Sequence, residues 1–213
     1  NKVTLDDVGR VVELTTGVPM CKEGIQQFRQ RVMGLDDSMR GSIVGQDHAI
    51  TIISNTLKQA AAGLADPSQP LAKLLGLGST GVGKSYTAEV LAEVLGIPLI
   101  TFDLSEYREP HTVSRFIGAP PGYVGYDRGG QLTDAVRKNP YCVLCFDEID
   151  KAHPDVLNVL LQIMEAGRLT DGQGRRVRFN KTIIIMTSNH GAEFFHQAAE
   201  GQTTYQNARN RAI

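Results

Sequence analysis

The sequence predicts an α/β fold: a parallel sheet flanked by helices, preceded by an N-terminal helical segment. Three observations lead there. Four apolar runs of strand length recur, LAKLLGLG at 71–78, PLITFDL at 98–104, VLCF at 143–146 and TIIIMTSN at 182–189. Two of the intervals between them carry helical patterns, KSYTAEVLAEVLG at 84–96 and DVLNVLLQIMEAG at 155–167. Between the first strand and the first of these helices stands GSTGVGKS, residues 78–85, which fits G-x-x-x-x-G-K-S/T in the strand-to-helix setting that motif requires. Near-continuous apolar strands alternating with helices imply a parallel sheet covered on both faces.

The elements can be justified in order. Residues 1–40 read as helical, with Ile25, Phe28, Val32, Leu35 and Met39 drawing one apolar stripe at alternating steps of three and four. Gly34 interrupts that stripe. IVGQDHAITIISNTLKQAAAGL, residues 43–64, predicts a second amphipathic helix that closes near Gly63. ADPSQP at 65–70 is a polar, proline-bearing connector. In the helix at 84–96, Ala88, Leu91 and Leu95 share a face and Gly96 is the stop. The helix at 155–167 has Pro154 at its start and Gly167 after its end. No internal repeat or low-complexity tract is present in the 213 residues.

Composition narrows the function classes. Charge is nearly balanced, with 22 Lys plus Arg against 23 Asp plus Glu, and no long basic run provides a footprint for a nucleic-acid backbone. No apolar run reaches membrane-spanning length, and no signal-peptide pattern opens the chain. The first residue is Asn1 rather than Met, which is expected of a piece of a longer protein. Three cysteines make no disulfide framework. Cys142 and Cys145 have C-x-x-C spacing, but YCVLCF reads as a buried strand, on which residues three apart point to opposite faces. The five histidines show no metal-ligand spacing.

The chemistry concentrates at the strand ends. The glycines Gly78, Gly81 and Gly83 let backbone N–H groups turn inward around phosphate oxygens, with Ser79, Thr80 and Val82 between them. The following helix, through Lys84, Ser85 and Tyr86, presents its positive end to the same anion. Lys84 is positioned to reach the β and γ phosphates of a nucleotide such as ATP, and the Ser85 hydroxyl to bind Mg²⁺. VLCFDE at 143–148 ends an apolar strand in two acids: Asp147 suits Mg²⁺, and Glu148 suits polarising an attacking water. Asn189 closes the last apolar run. If that strand lies between the other two, Asn189 faces the γ phosphate; otherwise it simply turns the chain.

At this point the sequence resembles an AAA+ ATPase, a P-loop NTPase, and specifically the second nucleotide-binding module of the Clp unfoldase and disaggregase family, near its ClpA and ClpB branches. The likeness rests on TGVGKS at 80–85, FDLSEYREPHTVSRFIGAPPGYVGYDRGG at 102–130, LTDAVRKNPY at 132–141, DEIDKAHPDVLNVLLQ at 147–162, GRLTDGQGR at 167–175 and MTSN at 186–189. The LGIPLITFDLSEY stretch is more like ClpA, and TDGQGR more like ClpB. The resemblance implies Walker A roles for Lys84 and Ser85, the Walker B pair for Asp147 and Glu148, and sensor 1 for Asn189. It implies an adenine pocket lined by IVGQ at 43–46, with Ile43 and Val44 in contact, and a substrate-gripping pore loop at Tyr123 and Val124. GRLTDGQG at 167–174 matches a second, lower pore loop.

There are departures from the family pattern. Ser79 stands where relatives usually have proline, and the helical lid with its sensor 2 arginine is absent from a sequence ending at Ile213. NARNRAI at 207–213 resembles the arginine-finger stretch and nominates Arg211, although an ordinary solvated arginine fits as well.

The expected organisation is a helical segment over 1–40 and a nucleotide-binding subdomain over 41–213. The expected function is an ATP-driven motor of a cytoplasmic ring, hexameric by family, that threads unfolded or tagged proteins, with delivery to a peptidase partner left open. Two alternatives stay open: an AAA+ module acting on nucleic acid, disfavoured by the Tyr-Val loop tip but not by Arg128, and a nucleotide-binding scaffold without activity.

Overall fold

Parallel pairing brings the polar ends of the chain's apolar runs onto one line. The computed structural model describes residues 3–16, 22–120, 122, 126, 129–192 and 207. It opens with helices α1 (Leu5–Thr16), α2 (Lys22–Met33), α3 (Leu35–Ser42) and α4 (Asp47–Ala61). Strand β1 (Ala72–Leu77), helix α5 (Lys84–Leu95) and strand β2 (Leu99–Asp103) follow. After a 3₁₀ turn at Leu104–Tyr107 come α6 (Pro110–Ile117), α7 (Gln131–Lys138) and β3 (Val143–Asp147). A second 3₁₀ turn, Ile149–Lys151, leads to α8 (Pro154–Ala166), the hairpin β4 (Arg168–Thr170) and β5 (Arg176–Arg178), and finally β6 (Ile183–Ser188).

The sheet has the order β1-β6-β3-β2, and every pair is parallel. Ala72, Ile183, Val143 and Leu99 form one row at the start of the strands. The row at the other end therefore sets Gly76 beside Thr187 and Asp147 beside Asp103. Ligand sites in open parallel sheets form at the carboxyl ends of the strands, so this alignment decides where the polar residues meet. The last strand lies between β1 and β3, as Asn189 requires if it is to face the phosphate loop.

Each face of the sheet carries its own core. Val143, Cys145, Ile183 and Ile185 pack on one side against α2–α5, where Leu35, Met39, Ile50, Ala88 and Leu91 are fully buried. Leu144, Phe146, Ile184 and Met186 pack on the other against α6, α7 and α8. There Phe102, Phe116 and Phe146 stack and cross at centroid distances of 5.5–6.3 Å. Each such side chain contributes about 1.5–3 kcal/mol by leaving water.

The stripe expected from Ile25 to Met39 is buried from Val32 onward, with Phe28 half-buried and Ile25 exposed. Gly34 splits it into α2 and α3, and the division expected at residue 40 falls inside α3. Arg31 Nη1 donates to the Leu95 carbonyl at 2.7 Å, setting a cation on the negative end of α5.

The helix expected over 43–64 begins only at Asp47, so IVGQ is a loop. Helices α6 and α7 have eight residues each, too few for a periodic pattern to stand out. Gly167 has φ +58, and a Cβ there would lie 1.7 Å from the Ser68 carbonyl oxygen, so glycine is required where α8 turns into the hairpin. Among the described residues no helix is long and apolar enough to cross a membrane.

Cys142 and Cys145 are buried on opposite faces, as the strand reading expects. Burial pushes both thiols from an ordinary 9.0 up to about 12. Because the folded-state values are raised, their contribution to stability is complete below pH 9 and falls as pH climbs toward 12. Peptide mapping after thiol labelling of the native protein near neutral pH is expected to find neither cysteine modified, with rapid labelling of both in denaturant. Native labelling at the denatured rate would contradict the burial.

Candidate nucleotide site

The loop between β1 and α5 is shaped by three glycines in backbone regions closed to other residues, Gly78 (φ +144), Gly81 (φ +82) and Gly83 (φ +92). No side chain caps α5, so its first N–H groups are left to point into the loop. Lys84 starts the helix and folds back beneath the loop. Its Nζ donates to the carbonyls of Gly78 at 2.7 Å and Ser79 at 2.8 Å, and to Asn189 Oδ1 at 2.9 Å. Burial lowers the Lys84 pKa, and the nearby acids Asp147, Asp150 and Glu148 act against that shift.

Asp147 ends β3 and joins two other elements. Its Oδ1 accepts from Ser85 Oγ at 2.9 Å and from Thr187 Oγ1 at 2.8 Å. Thr187 also accepts from the Glu148 amide at 3.2 Å, so one hydroxyl fixes the side chain of the first acid and the backbone of the second. Glu148 has φ +56, the only positive value at a non-glycine position among the described residues. A left-handed backbone at such a residue costs on the order of 1–3 kcal/mol and persists only where its surroundings enforce it. Its carboxylate pairs with Lys151 Nζ at 2.6 Å.

Asp150 completes the network. Its Oδ1 accepts from Ser188 Oγ at 2.7 Å and from the Asn189 amide at 3.2 Å. Burial alone would raise its pKa, but these hydrogen bonds outweigh that and hold it below the ordinary carboxylate value. The turn carrying Asn189 is thus tied to the turn after Glu148. Lys84, Ser85, Asp147, Glu148 and Asn189, predicted from separate motifs, are brought side by side in two hydrogen-bonded groups, Lys84 with Asn189 and Asp150 and Ser85 with Asp147, Thr187 and Glu148, which meet where Lys84 and Ser85 follow each other in the chain. Thr187 and Asp150 were missed. Their signals were a hydroxyl at the end of an apolar strand and a third acid close after Asp147.

The IVGQ segment, expected to line an adenine pocket, holds its residues in different settings. Ile43, the residue that caps the end of α3, is buried in the core, and Val44 is 94% exposed. The residue of that segment that reaches the phosphate loop is Gln46, whose Nε2 donates to the Val82 carbonyl at 3.1 Å. A groove of about 440 Å³ runs beside it, lined by His48, Ile52, Leu75, Val82, Lys84 and Thr87 among others. Ser79 is half-buried, Thr80, Gly81 and Val82 are exposed on the loop, and Tyr86 is half exposed. Tyr123, Val124, Arg128 and Arg211 lie outside the described residues. The 167–174 stretch forms β4 and the turn that follows it.

A family model for the AAA domain (Cdc48 subfamily) matches residues 69–212. The chain belongs to this family of ATPases. This AAA chain is 48% identical over 214 residues to the chaperone protein ClpB of Meiothermus ruber, an alignment covering 99% of the chain and 25% of that relative. It is 46% identical to ClpB 1 of Thermosynechococcus vestitus over 100% of the chain and 25% of that protein. It is also 46% identical to ClpB of Bdellovibrio bacteriovorus, over 98% of the chain and 25% of that protein. The chain therefore spans about a quarter of the length of these curated relatives. The Clp resemblance read from the motifs is borne out along the whole AAA chain.

Thr187 is 3% exposed, and replacing it with valine keeps its shape while removing both of its bonds. Thr187→Val is expected to cost about 1–3 kcal/mol in urea unfolding, because the Glu148 amide loses its acceptor. An unchanged midpoint and slope would mean that the hydroxyl holds neither acid.

Proposed function

We propose that this AAA module binds ATP with Mg²⁺, hydrolyses it, and uses the cycle to thread polypeptide through the pore of a homo-oligomeric ring, a hexamer by analogy with the Clp family. The observation that carries the reading is the direct contact of Lys84 with Asn189 and of Ser85 with Asp147, beneath a glycine-shaped loop at an uncapped helix start.

The proposed roles follow from the chemistry of each group. Lys84 holds the β and γ phosphates, exchanging its carbonyl partners for charged oxygens, which are stronger acceptors. Ser85 Oγ and Asp147 Oδ1 are hard oxygens 2.9 Å apart, a donor set that suits Mg²⁺ sharing its remaining positions with phosphates and waters. That ion would supply charge neutralisation on the phosphate oxygens. Glu148 orients and polarises the attacking water, and Asn189 steadies it beside the γ phosphate. The apolar wall of the groove at Ile52, Leu75 and Val82 takes the base, with Gln46 fastening that wall to the loop.

Polypeptide as the substrate is supported by the Tyr123–Val124 tip, whose aromatic face needs no particular partner, and by the chaperone relatives. The near-zero net charge disfavours a nucleic-acid track. The chaperone names of those relatives favour protein remodelling, and delivery to a peptidase draws no support from them.

Three variants test this reading. In the intact protein, Glu148→Gln is expected to retain ATP while lowering turnover about 10²–10⁴-fold, as loss of a water-activating group does. Lys84→Ala is expected to lose ATP binding in calorimetry. Undiminished turnover in Glu148→Gln would remove that residue from the chemistry. Tyr123→Ala is expected to leave ATP turnover within about twofold while abolishing movement of an unfolded polypeptide, since its contact face is lost and the ATP site is untouched. Equal loss of both activities would assign the loop to the fold.

A further inference from the structure

The two segments matched to separate pore loops are fastened to each other through backbone. Loop 118–130 leaves α6 at Gly118 and returns to α7 at Gly130, and its two feet pair through an antiparallel bridge between Gly118 and Gly129. The turn of the β4–β5 hairpin lies directly against this bridge. The Gly172 amide donates to the Ile117 carbonyl at 3.2 Å, and Gln173 Nε2 donates to the Tyr126 carbonyl at 2.6 Å.

There is no room for side chains along this seam. A Cβ on Gly172 would lie 2.5 Å from the carbonyl oxygens of Gly118 and Ala119, and one on Gly130 would lie 2.2 Å from the Ile117 carbonyl carbon. Contacts of backbone on backbone at this range are stiff, because no flexible side chain intervenes to absorb a displacement.

The hairpin turn is itself locked. Asp171 is buried, and its Oδ1 accepts from the amides of Gln173 at 3.0 Å and Arg175 at 2.8 Å. Its Oδ2 accepts from Arg175 Nε at 2.7 Å, and Arg175 Nη2 lies 2.7 Å from the same oxygen as an ion-pair contact without hydrogen-bond geometry. Arg175 Nη2 also stands 3.5 Å from Asp134 Oδ1 on α7, which Arg137 pairs at 2.8 Å. The lock therefore ties the hairpin to the helix that begins at the loop's second foot. At its other end the hairpin continues from α8, which follows the turn carrying Asp150 and Lys151.

We propose that the β4–β5 hairpin is the positioning element of loop 118–130, with Asp171 and Arg175 locking its turn, Gly172 fastening the loop's first foot and Gln173 its return limb at Tyr126, so that the hairpin and the loop's base move as one body. The functional half of this statement rests on the proposed polypeptide-gripping role of the loop; the mechanical half does not. Asp171, Arg175 and Gln173 are positioning residues, acting on the loop rather than on nucleotide.

The test uses the intact protein with Asp171→Asn, which removes the ion pair at nearly constant shape, and Gln173→Ala, which removes only the Tyr126 bond. Amide hydrogen exchange is followed in peptides spanning 118–130 and, as an internal control, in those spanning α5. In both variants the 118–130 peptides are expected to exchange about tenfold faster while the α5 peptides keep the parent rate, the signature of a local opening. KM for ATP is expected to stay within about twofold, and movement of an unfolded model polypeptide to fall about tenfold, since loosening the loop leaves the nucleotide site intact but transmits less displacement. Parent-level exchange at 118–130 in both variants would overturn the proposal. So would an equal rise in the 118–130 and α5 peptides, since the effect would then be global. Faster exchange at 118–130 with undiminished polypeptide movement would uphold the mechanical coupling and refute the gripping role on which its function rests.

Discussion

Asp147 is the residue through which the separate parts of the site hold together. One of its oxygens takes the Ser85 hydroxyl from the start of α5 and the Thr187 hydroxyl from β6, elements that chain order keeps 62 and 40 residues away. Both bonds need the strands to stand in one register, since slipping a strand by one residue turns each side chain to the opposite face. Thr187 passes the constraint on to the Glu148 backbone, and Asp150 passes it back to Asn189. The sheet's apolar rows are thus what aims the polar ones.

The site also concentrates unfavourable terms that this network offsets. Lys84 is partly buried, which works against its charge, and its compensation is three acidic neighbours and three hydrogen-bond acceptors. Glu148 sits in a left-handed backbone with its amide held by Thr187 and its carboxylate by Lys151. A strained residue next to a half-buried cation is what a site made for a highly charged ligand would carry, because such a ligand strengthens the contacts the cation already makes. The second core, under α6, α7 and α8, has a different duty. It supports the hairpin and the feet of loop 118–130 on the far side of the sheet from α2–α5.

Much of this was legible in the linear chain. The strands, α5 and α8 announce themselves through apolar runs bounded by glycine and proline, and GSTGVGKS carries its own strand-to-helix setting. Opposite faces for Cys142 and Cys145 follow from a period of two. Other features had no such signal. IVGQ, at residues 43–46, is a loop rather than the first turn of α4, because helix starts depend on capping geometry that an apolar pattern does not report. Ile43, just past the end of α3, is buried in the core of that face, a burial that only the packing of the helices sets.

The linear chain alone assigns the chemistry, because residue type and local spacing dictate where a glycine turn, a lysine and paired acids can occur. It determined the class of the sheet for the same local reason: uninterrupted apolar strands must be covered on both faces. Folding in three dimensions set β6 between β1 and β3, made Thr187 the holder of the paired acids and Asp150 the holder of the Asn189 turn, and brought Gln46 against the phosphate loop. It alone joined loop 118–130 to a hairpin more than forty residues later. Each of these is a contact between segments far apart in sequence, set by strand register and helix packing, and such contacts leave no mark in the local pattern of either partner.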